Sequence, residues 1–196
     1  MTRSSSSVLV DQLSPSHAAA RDVLAVVGFA LLTALLAQLR VDLPYSPVPL
    51  TGQTFAVLLA GAVLGLRRGF ASQAVYLALG AMGMPVFAGG LGGPVILVGP
   101  TAGYLWSFPL AAGLLGWLVE RGASRALWKL APALFVADIL ILASGTVWLS
   151  ILSGQPTRVV LQWGVVPFIV SNVVKVAAVG LTLPRLLKNS RAGEIS

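Results

Sequence analysis

The sequence has no cysteine and one histidine, His17, which lies in a polar N-terminal stretch. The first absence excludes disulfides, thiol nucleophiles and cysteine metal sites; the second excludes a histidine metal cluster within one chain. Charge is also scarce. Only 10% of the 196 residues are charged, where a soluble domain carries about a quarter. The six acids, Asp11, Asp22, Asp42, Glu120, Asp138 and Glu194, are scattered, so no carboxylate-rich metal site of a transferase is encoded. The glycine cluster "AGGLGGPVIL" lacks the Lys-Ser/Thr of a phosphate-binding loop. Ser144 has no histidine to activate it, and Asp138 is the only acid well inside an apolar run, which excludes intramembrane proteolysis. Neither an enzyme nor a cofactor site is indicated.

Apolar sequence is what the chain has in abundance. Hydrophobic residues make up 57% and the mean hydropathy is +0.90, which marks an all-α integral membrane protein. Apolar stretches fall at 22–39, 54–66, 69–83, 101–119, 130–152 and 163–184. A spanning helix needs about twenty residues. The second and third stretches are shorter and are separated only by "LRRG" around Arg67 and Arg68, so they read as a tight helical hairpin. The expectation is six transmembrane helices over 22–187, a disordered cytoplasmic leader over 1–21 and a cytoplasmic tail over 188–196.

The net charge of +7 is distributed as membrane topology requires, not as a nucleic-acid surface. With both termini cytoplasmic, the inner segments receive Arg3, Arg21, Arg67, Arg68, Arg121, Arg125, Lys129, Arg185, Lys188 and Arg191. The outer loops receive only Arg40 and Arg158, and Lys175 is left inside a span. Loops 40–53, 84–100 and 153–162 then face outward.

The loop from Met84 is the least ordinary of these. "MPVFAGGLGGPVILVGP" is uncharged and rich in glycine and proline, yet it carries Val86, Phe87, Ile96 and Leu97. Solvated linkers carry Ser, Lys and Glu instead. Irregular backbone at membrane depth is tolerated where protein buries it or where it lines a cavity. The loop therefore reads as a lid over a small pocket open to the outside. Polar groups near such a pocket are Thr51, Gln53, Thr54, Gln73, Tyr76, Tyr104, Asp138, Asn172 and Lys175. For most of them an interhelical hydrogen bond accounts for the side chain equally well. Tyr104, Trp106 and Trp163 serve equally as aromatics of the membrane interface. Lys175 differs, because a buried charge in a span marks function. It lies twelve residues past Trp163, roughly 18 Å down a helix.

The runs "PVPLTGQTFAVLLAGAVLG", "YLALGAMGMPVFAGGLGG" and "GPTAGYLWSF" resemble the BioY family, the biotin-specific substrate-binding (S) components of energy-coupling-factor (ECF) transporters. The resemblance covers about residues 25–187. It implies a multi-pass, six-helix protein of the cell membrane that captures biotin from outside. It also implies partners: a transmembrane coupling protein and two cytoplasmic ATPases. Ala30 and Ala34 match an Ala-x-x-x-Ala docking pattern in the first helix. In "PFIVSNVVK" the lysine of an Asp-x-x-Lys pattern is present as Lys175, and Asn172 replaces the acid. The resulting binding set is Thr51, Gln53, Phe87, Gly89, Gly90, Gly92, Gly93, Tyr104, Asn172 and Lys175. A free-standing six-helix secondary carrier or channel is the other reading, although residues 1–98 and 99–196 show no repeat of the kind such carriers have.

The absence of native cysteine makes the topology directly testable. A single cysteine at position 91 should react with an impermeant maleimide in intact cells; reaction only after membrane disruption would reverse the orientation.

Overall fold

The computed structural model describes residues 18–169. It is mostly helical: α1 (Ala18–Ala37), α2 (Gln53–Ala81), α3 (Ala102–Glu120), α4 (Leu127–Ser153) and α5 (Thr157–Gly164). A two-residue antiparallel pair, β1 (Arg40–Val41) with β2 (Leu50–Thr51), closes the loop between α1 and α2. A 3-10 turn spans Pro94–Val98 and another Ala123–Arg125. Four helices, α1 to α4, are long and apolar enough to cross a membrane. The helix α1 begins at Ala18, before the expected start at 22. The expected sixth span falls mostly outside the described residues, as do the tail and most of the leader.

The hairpin anticipated around Arg67 and Arg68 is built inside α2. Gly65 has φ 79° and ψ −173°, a backbone state that only glycine adopts easily, and it breaks the helix. The Leu66 N–H then leaves the helical ladder and donates to Glu120 Oε1 at 2.8 Å. The two arms, 53–64 and 66–81, run back along each other. Gln53 Nε2 donates to Tyr76 OH at 2.5 Å, although a straight helix would hold those residues roughly 34 Å apart. Such close antiparallel packing needs small residues. A β-carbon on Gly61 would run into the Ala112 carbonyl, and one on Gly69 would stand 3.1 Å from Gly61 Cα.

Packing proceeds outward from α2, which lies against both α1 and α3, while α3 lies against α4. The shared core includes Leu58, Tyr76, Phe108, Leu115, Leu134 and Ile141. Leu24, Leu35, Leu110, Val147 and Ile151 point outward, the apolar exterior that lipid contact requires. Loops gather at two ends. At one, Arg68 Nε meets Asp22 Oδ2 at 3.0 Å, and Arg121 lies 3.7 Å over the Trp117 ring. At the other, Ser46 Oγ donates to the Trp163 carbonyl at 2.9 Å, bringing the first loop to α5.

The Gly61 contact generates a stability prediction. Gly61→Leu should lower the melting temperature of the purified protein by the equivalent of about 1–3 kcal/mol, the usual cost of overpacking. Gly28 has open space around it, so Gly28→Leu should leave the melting temperature unchanged. Equal effects would contradict the close packing of α2 on α3.

Candidate functional site

A cavity of about 310 Å³ opens at the end where β1, β2 and α5 gather, a volume within the usual range for a small-molecule site. Its walls come from four parts of the chain. Pro47, Val48 and Pro49 precede β2; Thr51 ends β2, and Gln53 and Thr54 open α2; Tyr104, Leu105 and Phe108 come from α3; Phe168 lies beyond α5. The segment 84–100 covers the rest with Phe87, Ala88, Leu91, Val95 and Ile96.

That covering segment has few hydrogen bonds of its own and borrows the remainder from helices. Internally, the Phe87 N–H donates to the Leu91 carbonyl at 2.9 Å and the Gly90 N–H to the Phe87 carbonyl at 3.1 Å. The Gly93 N–H reaches back to the Gly80 carbonyl at 2.7 Å. Gln38, at the end of α1, takes both sides of one turn: its Oε1 accepts from the Gly90 N–H at 2.9 Å and its Nε2 donates to the Phe87 carbonyl at 3.2 Å. Arg40 pairs with Asp42 at 2.6 Å and donates to the Ala88 carbonyl at 3.4 Å. Two indoles finish the far end: Trp106 Nε1 donates to the Leu97 carbonyl and Trp148 Nε1 to the Gly99 carbonyl, each at 2.9 Å.

The cavity has one aromatic wall and one polar wall. Phe87 is buried and meets Tyr76 edge-on, with centroids 5.6 Å apart. Tyr76 stacks on Phe108 at 6.4 Å, and Tyr104 stacks on Phe168 at 5.8 Å. The Tyr104 hydroxyl donates to the Gly164 carbonyl at 3.0 Å, which ties α3 to α5. On the polar side Thr51 Oγ1 donates to Gln53 Oε1 at 2.8 Å, and the Tyr76 hydroxyl donates to the Val86 carbonyl at 3.2 Å. An apolar box with a few fixed polar groups holds a compact, mostly hydrophobic solute and orients its polar end.

Of the residues singled out in the sequence, Thr51, Gln53, Phe87 and Tyr104 line this cavity. Gly89, Gly90, Gly92 and Gly93 are not on its wall. They form the turns of the covering segment, where Gly89, Gly90 and Gly93 have positive φ and a side chain on Gly92 would strike the Met84 carbonyl. Asn172 and Lys175 lie outside the described residues. Gln73 is satisfied within the core, its Nε2 donating to Thr33 Oγ1 at 3.2 Å. The expected docking pair, Ala30 and Ala34, lies on α1. Ala30 is fully buried against the chain's own core, and only Ala34 keeps partial exposure. Sequence reading missed Gln38, Arg40 and Trp148, since nothing local connects a helix-end glutamine or a span tryptophan with a loop some fifty residues away. A larger apolar groove of about 440 Å³, between Phe70, Trp106 and Leu110, has almost no polar wall with which to select a solute.

Known proteins resemble this chain along most of its length. The model of the BioY family matches residues 5–192. A protein of Pyrococcus horikoshii, "Probable biotin transporter BioY", is 42% identical over 171 residues, covering 87% of this chain and 99% of that protein. "Biotin transporter BioY" of Thermotoga maritima is 40% identical over 148 residues, covering 76% and 86% respectively. Among solved structures, the S-component for biotin from an ECF-type ABC transporter superposes with a TM-score of 0.82, covering 89% of this chain and 95% of that one. Sequence identity to it is 24%, so this likeness speaks for the fold.

Proposed function

The chain belongs to the BioY family, and on that premise we propose that it takes up biotin, capturing it in the covered cavity as the substrate-binding subunit of an ECF-type transporter. It is a transporter component, not an enzyme. The observation that carries the reading is the 310 Å³ cavity with an aromatic wall facing the Thr51–Gln53 polar wall. Biotin has the matching chemistry: a fused ring with an apolar thioether, a polar ureido group, and an aliphatic tail ending in a carboxylate. Phe87, Tyr104 and Phe108 suit the ring, and Thr51 and Gln53 suit the ureido group. Gly89, Gly90, Gly92 and Gly93 act by shaping the cover.

The finer features follow from the same premise. With the two arms of α2 as two spans and the apolar run 163–184 as a sixth, the even number puts both termini on one side of the cell membrane, the cytoplasmic one. The ten-to-two division of basic residues supports that orientation. A membrane coupling protein and two cytoplasmic ATPases complete the transporter. Lys175, with Asn172 three positions earlier in the sequence, receives the biotin carboxylate. One observation favours a second role for Lys175: Asp138 is buried in α4, and a buried carboxylate suits a lysine partner.

Binding of radiolabelled biotin to the purified protein tests the proposal. Gln53→Ala should weaken binding roughly fivefold, the equivalent of one hydrogen bond. Lys175→Met should keep the fold and weaken binding by roughly tenfold. A drop in melting temperature that Asp138→Asn restores would instead assign Lys175 to Asp138. Absence of biotin binding by the unaltered protein would sink the functional reading.

A further inference from the structure

We propose that the apolar groove between the second arm of α2 and α3 seats one acyl chain of an anionic phospholipid, whose phosphate is held by Arg67 and Arg121. The inference is independent of the biotin reading and requires only that the chain sits in a membrane. The groove encloses about 440 Å³ and is lined by Phe70, Ala74, Ala78 and Ala81 of α2 and by Trp106 and Leu110 of α3, with no charged residue. Phe70, Trp106 and Leu110 are 43%, 52% and 57% exposed, so the chain's own fold leaves the groove open to the lipid side. From Phe70 to Ala81 is eleven residues, roughly 16 Å along a helix. That is about half of the hydrocarbon thickness of a bilayer, the depth that the chain of one leaflet reaches. Any span surface touches lipid somewhere. What distinguishes this stretch is a recess that ends at cations with no partner of their own.

Arg67 is exposed and makes no hydrogen bond or ion pair with a described residue, whereas its neighbour Arg68 is tied to Asp22 at 3.0 Å. Positions 67, 70, 74, 78 and 81 recur at helical spacing, so Arg67 heads the row that lines the groove. On α3 the same spacing joins Trp106, Leu110 and Trp117 to Arg121 at the helix end. The Arg121 guanidinium lies 3.7 Å over the Trp117 ring, an arrangement that leaves its N–H edge free for an anion. Both arginines stand at one mouth of the groove, because the Leu66 N–H donates to Glu120 Oε1 at 2.8 Å and so joins their neighbours. Glu120 offsets one of the two positive charges and leaves the mouth cationic. Arginine holds phosphate through paired, charge-assisted hydrogen bonds, and basic sites between helices at a membrane surface take anionic head groups. A two-fold contact with a second copy fits less well, since it would bring four arginines to the same membrane depth.

Stepwise dissociation constants for dioleoylphosphatidylglycerol and dioleoylphosphatidylcholine test this, measured by native mass spectrometry on the full chain released from mild detergent. The first phosphatidylglycerol should bind roughly tenfold or more tighter than the first phosphatidylcholine. Arg67→Gln and Arg121→Gln, both at exposed positions, should each reduce that preference by roughly fivefold. Ala78→Phe places a ring in the groove from an exposed position; it should weaken both lipids and leave their ratio unchanged. Arg158→Gln, an exposed arginine on α5 at the opposite end, should alter neither. An equal loss of preference in Arg158→Gln would reduce the effect to net charge and overturn the proposal. Unchanged lipid affinity in Ala78→Phe would overturn it too, and a lipid-free dimer that Ala78→Phe separates would give the groove to a second copy instead. None of these outcomes bears on biotin binding, which the radiolabelled assay reads separately.

Discussion

Backbone that leaves the helical state beside lipid must find its hydrogen bonds in protein, since hydrocarbon offers none. The segment 84–100 makes up most of the longest connection between α-helices among the described residues, and much of the structure around it meets that demand. Gln38 and Arg40 serve the Phe87–Gly90 turn from α1 and β1. Trp106 and Trp148 serve Leu97 and Gly99 from α3 and α4. Tyr76 serves Val86 from α2. Elements from across the chain thus converge on one covering segment. A cavity beneath it follows, because a short irregular strap cannot fill the space that interdigitating helix side chains would.

The groups that satisfy the strap also furnish the site, and this ties recognition to folding. Tyr76 is the clearest case. Its hydroxyl closes the Val86 carbonyl, its ring braces Phe87, and its link to Gln53 reaches Thr51. One buried side chain therefore connects the polar wall, the aromatic wall and the cover. The Gly65 break sets the stage for this, since only a folded-back α2 brings Gln53 and Tyr76 together.

Much of this was legible in the sequence, for physical reasons that can be named. The apolar runs became helices because lipid leaves the backbone few alternatives. The short pair around Arg67 and Arg68 read as a hairpin because only "LRRG" separates two apolar runs. The apolar, glycine-rich character of 84–100 marked it as a lid over a pocket, and it does line the cavity. Thr51, Gln53, Phe87 and Tyr104 were visible as polar or aromatic residues beside that loop. Other features were not visible. The strap glycines looked like ligand contacts because glycine permits close approach, but positive φ can serve a turn as easily as a ligand. Ala30 and Ala34 match a docking pattern, but small residues suit an outer or an inner helix face equally, and helix phase alone does not say which. Gln38 and Trp148 act across about fifty residues of sequence, a distance at which no local pattern survives.

The central claim is that protein hydrogen bonds hold the strap and that the held strap closes the cavity. Amide hydrogen exchange across residues 84–93, with and without biotin, in the unaltered chain and in Gln38→Leu, tests it most directly. Removing Gln38 deletes two bonds to one turn, which at about 1 kcal/mol each should speed exchange there by roughly tenfold or more. Exchange in α3 should not change. Biotin should slow exchange in the strap of the unaltered protein and do so less in the variant. Strap exchange that is indifferent to both Gln38 and biotin would contradict the account.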